Sequence, residues 1–210
     1  MKNYRSVFWL NTLSLLLVAG LILYSKWFGP SVSSLFLPPP FSSSPNVALL
    51  THTFQVLCTI PPIVCAFSWG LLKAIQPQSQ QKLFILFSAL ITGGFLVNEI
   101  FRVHVLLGLL AGVPKLGVIL VYAIVAIAYG LGFWRRIQST PYILLLSGMG
   151  LLFLGITVDS LHLGSNGVSS LLEGVPKLFS EINIALYFWY VCYCEIVQSL
   201  NRPNLKVGGR

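Results

Sequence analysis

The sequence predicts an all-α membrane protein, a single polytopic bundle of six transmembrane helices spread over residues 1–210. Three observations carry that expectation. Only 9% of the residues are Asp, Glu, Lys or Arg, against roughly 25% in a soluble domain. Hydrophobic residues make up 56% of the chain and mean hydropathy is +0.83, more apolar surface than one small aqueous core encloses. The apolar residues are also grouped into six long segments rather than dispersed. Together these exclude a disordered chain and a disulfide scaffold. The net charge of +8 is carried by scattered Lys and Arg, without the clustered basic face of a nucleic-acid binder.

About 20 apolar residues cross ~30 Å of hydrocarbon at 1.5 Å per residue. The segments that qualify are roughly 6–24, 47–75, 83–105, 116–134, 141–163 and 177–199. Lys2 and Arg5 precede the first run as they would in a secretory leader. That run is too long and has no small-x-small cleavage site before Ser25, so it reads as a retained span. The second contains Pro61-Pro62, which removes two backbone donors and predicts a bend. Between the first two spans, Pro38-Pro39-Pro40 and a serine cluster read as an extended loop.

An even number of spans puts both termini on one side. That side collects Lys2, Arg5, Lys73, Lys82, Arg135, Arg136, Arg202, Lys206 and Arg210, leaving Lys26, Arg102, Lys115 and Lys177 to the other. The bias predicts cytoplasmic termini in a bacterial inner, or thylakoid, membrane. Trp9, Trp27, Trp69 and Trp134 fall near span ends, as interfacial aromatics do, whereas Trp189, in the run Tyr187-Phe188-Trp189-Tyr190, sits deeper. Packed core is the usual meaning of such a run, with a cavity lining as the alternative.

Leu110-Ala111-Gly112-Val113-Pro114-Lys115-Leu116 returns as Leu172-Glu173-Gly174-Val175-Pro176-Lys177-Leu178, identical at six of seven positions. Each copy follows an acid and a histidine, Glu99 with His104 and Asp159 with His162. Each also precedes a span expected to start at Lys, with Pro in the first turn. Spans three–four and five–six therefore read as a parallel hairpin repeat. On these residues, Glu99, His104, Lys115, Asp159, Glu173, Gly174 and Lys177, the chain resembles a group of bacterial, including cyanobacterial, polytopic integral membrane proteins. They share acid–apolar–His at one helix end and acid-Gly-x-x-Lys before the next. The resemblance spans roughly residues 83–199, implies a membrane bundle and names no activity. Ala111 at the place of Glu173 departs from the pattern and implies an asymmetric charged site.

An ionised group in hydrocarbon costs ~2.5–3.5 kcal/mol or more, so such residues face the bundle interior, pair, and often mark function. The expected topology places His52, Glu99, His104, Asp159, His162, Glu173 and Glu181 toward the outer face, with Glu195 near the cytoplasmic end. Helical spacing pairs Glu99 with Arg102, Asp159 with His162, and Lys177 with Glu181. Lys115 would find its counter-ion on the facing hairpin, and Asp159 with Lys177 would be the energetic centre. Interfacial hydrogen bonding is the plain reading of the three histidines. His52, His104 and His162 form the metal alternative, without any compact ligand motif. Cys58 and Cys65 share a face of span two, while Cys192 and Cys194 lie in span six. All four read as membrane-buried thiols, with a soft-metal site as a minor alternative.

No Walker loop, dinucleotide-binding glycine pattern or nucleophile elbow is present, so an enzyme is not the favoured class and no cofactor is indicated. The functional expectation is an outward-facing polar pocket that binds a small or lipidic ligand, or handles protons. Its residues are Asp159, His162, Glu173, Lys177, Glu181, Glu99, Arg102, His104 and Lys115. The rivals are an intramembrane metal-dependent hydrolase and a non-catalytic accessory or assembly subunit. Membrane lipids, membrane protein partners or a second copy are the expected partners.

Overall fold

The structure, a computed structural model, describes residues 3–28, 35, 49–75, 81–161 and 166–201, with backbone alone for residues 3–6, 28, 81, 159–161 and 166–170. Among the described residues there are eight helices and no strands: α1 (Asn3–Phe28), α2 (Leu49–Ile75), α3 (Gln81–Phe101), α4 (Val103–Ala111), α5 (Lys115–Gly132), α6 (Trp134–Gln138), α7 (Tyr142–Leu161) and α8 (Asn166–Asn201). A helix meets its own backbone hydrogen-bonding needs, which is what long apolar segments require in a bilayer. Four stretches are long and apolar enough to cross one: Val7–Trp27, Leu49–Ile75, Lys82–Phe101 and Lys115–Gly132. The apolar stretch of α7, Tyr142–Val158, is shorter.

The chain forms two compact units, one of residues Met1–Leu57 and Ile143–Leu186, the other of Cys58–Tyr142 and Tyr187–Arg210. In the first, α7 and α8 meet through glycine. A Cβ at Gly155 would stand 3.0 Å from the Glu173 carbonyl and 2.8 Å from Lys177 Cγ; one at Gly148 would stand 3.1 Å from the Ser180 carbonyl and 2.7 Å from Ile184 Cγ1. Two glycines seven residues apart thus let the helix backbones touch, as small residues do at membrane helix interfaces. The same unit holds a reciprocal amide pair: Asn11 Nδ2 donates to Asn183 Oδ1 at 3.3 Å and Asn183 Nδ2 to Asn11 Oδ1 at 3.2 Å.

In the second unit α3 packs on α5 through an aromatic group. Phe84 stacks on Tyr129 with centroids 5.9 Å apart, and Phe133 meets Phe84 edge-on at 5.4 Å. Gly93 admits Pro62 of α2, whose Cβ would lie 3.7 Å from an added Cβ. Helix α2 runs through Pro61 and Pro62 without being divided.

Two expected boundaries move. The third span was expected to reach residue 105, but Arg102 takes left-handed angles (φ 49°, ψ 48°) and separates α3 from α4. That conformation is unfavourable for a residue with a Cβ, and the Asn98 side chain supports it by accepting the His104 N–H at 3.2 Å. The sixth span was expected to begin at Lys177 after Pro176, but α8 starts at Asn166 and contains Pro176 in its interior. The two copies of the seven-residue motif therefore fold differently. Gly112 (φ 65°) caps α4 and Pro114 precedes α5, so Lys115 opens a helix. Gly174-Val175-Pro176-Lys177 is continuous helix.

Candidate functional site

Helix α8 carries half of the buried polar residues among the described residues. Ser180, Glu181, Asn183, Glu195 and Ser199 are buried along it, interleaved with Tyr187, Phe188, Val191 and Cys192, while Trp189, Tyr193 and Leu200 face outward. Trp189, 61% exposed, is thus not part of a cavity lining; Tyr187, two residues earlier, points inward.

In the second unit, the turn between α5 and α7 delivers Arg136 to this helix. Phe133 leaves helical geometry (φ −110°) after Gly132, and α6 restarts the chain with the Arg136 N–H bonded to the Phe133 carbonyl at 2.9 Å. Anchored by the Phe133 ring on α3, this short helix aims Arg136 Nη2 at Glu195 Oε1, forming an ion pair across 59 residues of sequence. The Glu195 side chain is 6% exposed and that of Arg136 31%. Glu195 Oε2 and Arg136 Nε are buried with no hydrogen-bond partner among the described residues. An open groove of about 380 Å³ lined by Leu131, Gly132, Phe133, Trp134, Arg135 and Arg136 lies at the same turn.

Further polar contacts belong to this unit. The Thr140 and Tyr187 hydroxyls share a hydrogen bond of 3.0 Å, and those of Ser88 and Tyr129 one of 2.6 Å. Cys192 Sγ lies 3.8 Å from Cys65 Sγ, with Ser68 beside it. Cys58, Cys65 and Cys192 are buried and Cys194 is half-buried, all as free thiols.

The expected site residues are distributed as follows. Glu99 lies in the last turn of α3, and the left-handed Arg102 ends that helix, so no continuous helical face carries the two as i,i+3 partners. His104 Nδ1 lies 3.4 Å from Asn98 Oδ1, making Asn98 its neighbour on the preceding helix. Lys115 is exposed at the start of α5. Lys177 Nζ donates to Glu173 Oε1 at 2.6 Å, an i,i+4 pair that exists because α8 is already helical at Glu173, which was expected just before the helix. Glu181 is 2% exposed. The Asp159 and His162 side chains, and with them the Asp159–Lys177 and Asp159–His162 pairings, lie outside the described residues. His52 is exposed on α2. Among the described residues, no three of His, Cys, Asp and Glu gather as metal ligands.

The sequence reading missed the Arg136–Glu195 pair, the Asn11–Asn183 pair and the role of Asn98. The available signal was chemical: an Asn or Glu inside an apolar run requires a partner from another helix. In the sequence Glu195 stands as the inner acid and Arg136 as one of the cytoplasmic cations, and nothing in their spacing joins the two.

Residues 7–193 match the family model of a domain of unknown function, DUF8692. The chain belongs to that family. The match runs from α1 into the last third of α8, so the DUF8692 domain includes both glycine contacts of α7, the asparagine pair, Arg136 and Cys192, and ends two residues before Glu195. No curated protein and no solved structure matches the chain.

Proposed function

We propose that this DUF8692 protein is a six-span membrane protein that handles protons through the buried acids of α8, with Glu195 the group that exchanges them. Helices α1, α2, α3, α5, α7 and α8 are the spans, and both termini are cytoplasmic in a bacterial inner or thylakoid membrane. Apolar side chains cover the outer faces of the helices, with Leu110 85% and Phe153 73% exposed, a surface suited to lipid and not to water. The Lys73 ammonium lies 5.2 Å from the Trp69 ring centre near the end of α2, and Trp134 adjoins Arg135 and Arg136, combinations typical of a membrane interface. The hairpin repeat remains part of this proposal as a sequence relation between spans three–four and five–six.

The observation that carries the proton reading is Glu195 itself. It is a carboxylate at 6% exposure with one oxygen on Arg136 and the other without a partner among the described residues, beside a turn whose groove is open. Intramembrane acids that face the interior and pair with a cation commonly lie on proton or substrate paths. The outer-end residues Asp159, His162, Glu173 and Lys177 are proposed as a separate polar set that meets a small or lipidic ligand. The test is proteoliposomes loaded with a pH-sensitive dye under an imposed proton gradient. Wild-type protein should dissipate the gradient faster than Glu195→Gln; equal rates at equal incorporation would end the proton reading.

A second reading, an accessory or assembly subunit whose polar groups only lock helices, is favoured by the mutually satisfied Asn11–Asn183 and Glu173–Lys177 pairs. Stable co-purification with a larger membrane complex, without proton movement by the isolated chain, would select it.

A further inference from the structure

Cys65 of α2 and Cys192 of α8 are far apart in sequence yet hold their sulfur atoms 3.8 Å apart, both almost fully removed from the surface. We propose that these two thiols form a two-coordinate site for a soft monovalent d¹⁰ cation, Cu(I) being the biological one. This goes beyond the proton-handling reading and does not depend on it. Metal–thiolate bonds of about 2.3 Å, the length found for zinc, set two sulfurs about 3.8 Å apart at a tetrahedral angle and about 4.6 Å apart in a linear arrangement. The observed separation lies at the near end of that window, and a small side-chain rotation opens it to the linear form. Zinc fits less well, because its structural sites take four ligands and no three His, Cys, Asp or Glu side chains gather among the described residues. Thiolates select soft ions such as Cu(I), and two sulfurs complete a linear coordination shell.

Binding is a proton-for-metal exchange. Each S–H bond breaks and its proton passes to the aqueous phase, two Cu–S bonds form, and no electron changes hands. The resulting bis-thiolate carries one negative charge. The Ser68 hydroxyl beside Cys192 can donate a hydrogen bond to that charge.

The test uses the reduced full-length chain in nanodiscs, titrated anaerobically with Cu(I) held by the coloured competitor bicinchoninate. Wild type should withdraw one ion per chain, Cys58→Ser and Cys194→Ser should do the same, and Cys65→Ser and Cys192→Ser should withdraw none. On wild-type protein alone, X-ray absorption should report two sulfur neighbours and no nitrogen or oxygen donor. No withdrawal by wild type, unchanged uptake by Cys65→Ser, a spectrum with nitrogen or oxygen donors, or isolation with Cys65 and Cys192 oxidised to a disulfide and no copper uptake would each overturn the proposal.

Discussion

Replacing Arg136 with Met should damage this protein more than replacing Glu195 with Gln, although the two residues form one ion pair. Removing one partner of a fully buried pair typically costs about 3–5 kcal/mol, because the other charge is left unmatched. The Glu195 side chain is 6% exposed, and its only hydrogen bond among the described residues is to Arg136. Arg136→Met should therefore fall within that range, at about 3–4 kcal/mol. Arg136 is 31% exposed at a turn bordered by an open groove. Its guanidinium can reach water or phosphate when Glu195 becomes Gln, so the cost there should be near about 1–2 kcal/mol, in the direction of surface pairs. The double variant should recover at least about 2 kcal/mol relative to the sum of the singles, as residues in direct contact do. The assay is unfolding of purified protein in mixed micelles with increasing SDS, followed by tryptophan fluorescence. The reasoning fails if Arg136→Met lies within 0.5 kcal/mol of wild type, if Glu195→Gln is the more damaging change, or if the single costs simply add.

Gly155→Ala and Gly148→Ala each push a methyl against a backbone carbonyl of α8, at 3.0 and 3.1 Å, and should lower stability by about 1–3 kcal/mol. Gly150→Ala, on the same helix with nothing within 4 Å of its Cβ, should be neutral or stabilising; equal thermal shifts for all three would disprove the close approach. Asn11→Leu and Asn183→Leu should each cost about 0.6–1.7 kcal/mol by SDS unfolding, the range for interhelical hydrogen bonds in membranes, and a double variant no worse than either single would verify the pairing. Asp159→Asn and Lys177→Met should each reduce folded yield, with partial recovery in the double variant; wild-type yield and thermal stability in both singles would dismiss that pair. Reporter fusions after residues 40, 78, 110, 137 and 168 should alternate outside, inside, outside, inside, outside, and an external C-terminal fusion would reverse the topology.

The helical class and the approximate extent of most helices were readable from the sequence, because run length and apolarity are the quantities a bilayer selects. Boundaries that depend on tertiary contact were not. Nothing in Phe101-Arg102-Val103 announces a left-handed residue, since the Asn98 side chain that supports it acts from the previous turn. Proline before Lys177 resembled a helix start for a sound local reason. What overrides it is the neighbouring helix: Gly155 lies against the Glu173 carbonyl, and the Glu173–Lys177 bond favours helix across the proline by about 0.2–0.5 kcal/mol. The first copy has Ala111 in place of Glu173 and cannot form that bond. For the site, Glu195 and Arg136 were each visible as charges near apolar runs, but their meeting across 59 residues is a property of the turn at Phe133. The tyrosine, threonine and cysteine contacts were likewise hidden, because their spacing in sequence does not encode which helices adjoin.

The asparagine pair sets a timetable for synthesis. Asn11 lies on α1 and Asn183 on α8, which leaves the ribosome 172 residues later. At roughly 5–20 residues per second, Asn11 waits on the order of ten to thirty seconds, with the carbonyl of Val7 one turn earlier, 3.0 Å away, as its local acceptor. Throughout that interval α1 is a finished helix with one polar side chain that has not met its distant counterpart. A nascent chain halted before Asn183 should therefore leave α1 open to crosslinking with the insertion machinery, and release of α1 should coincide with the arrival of α8.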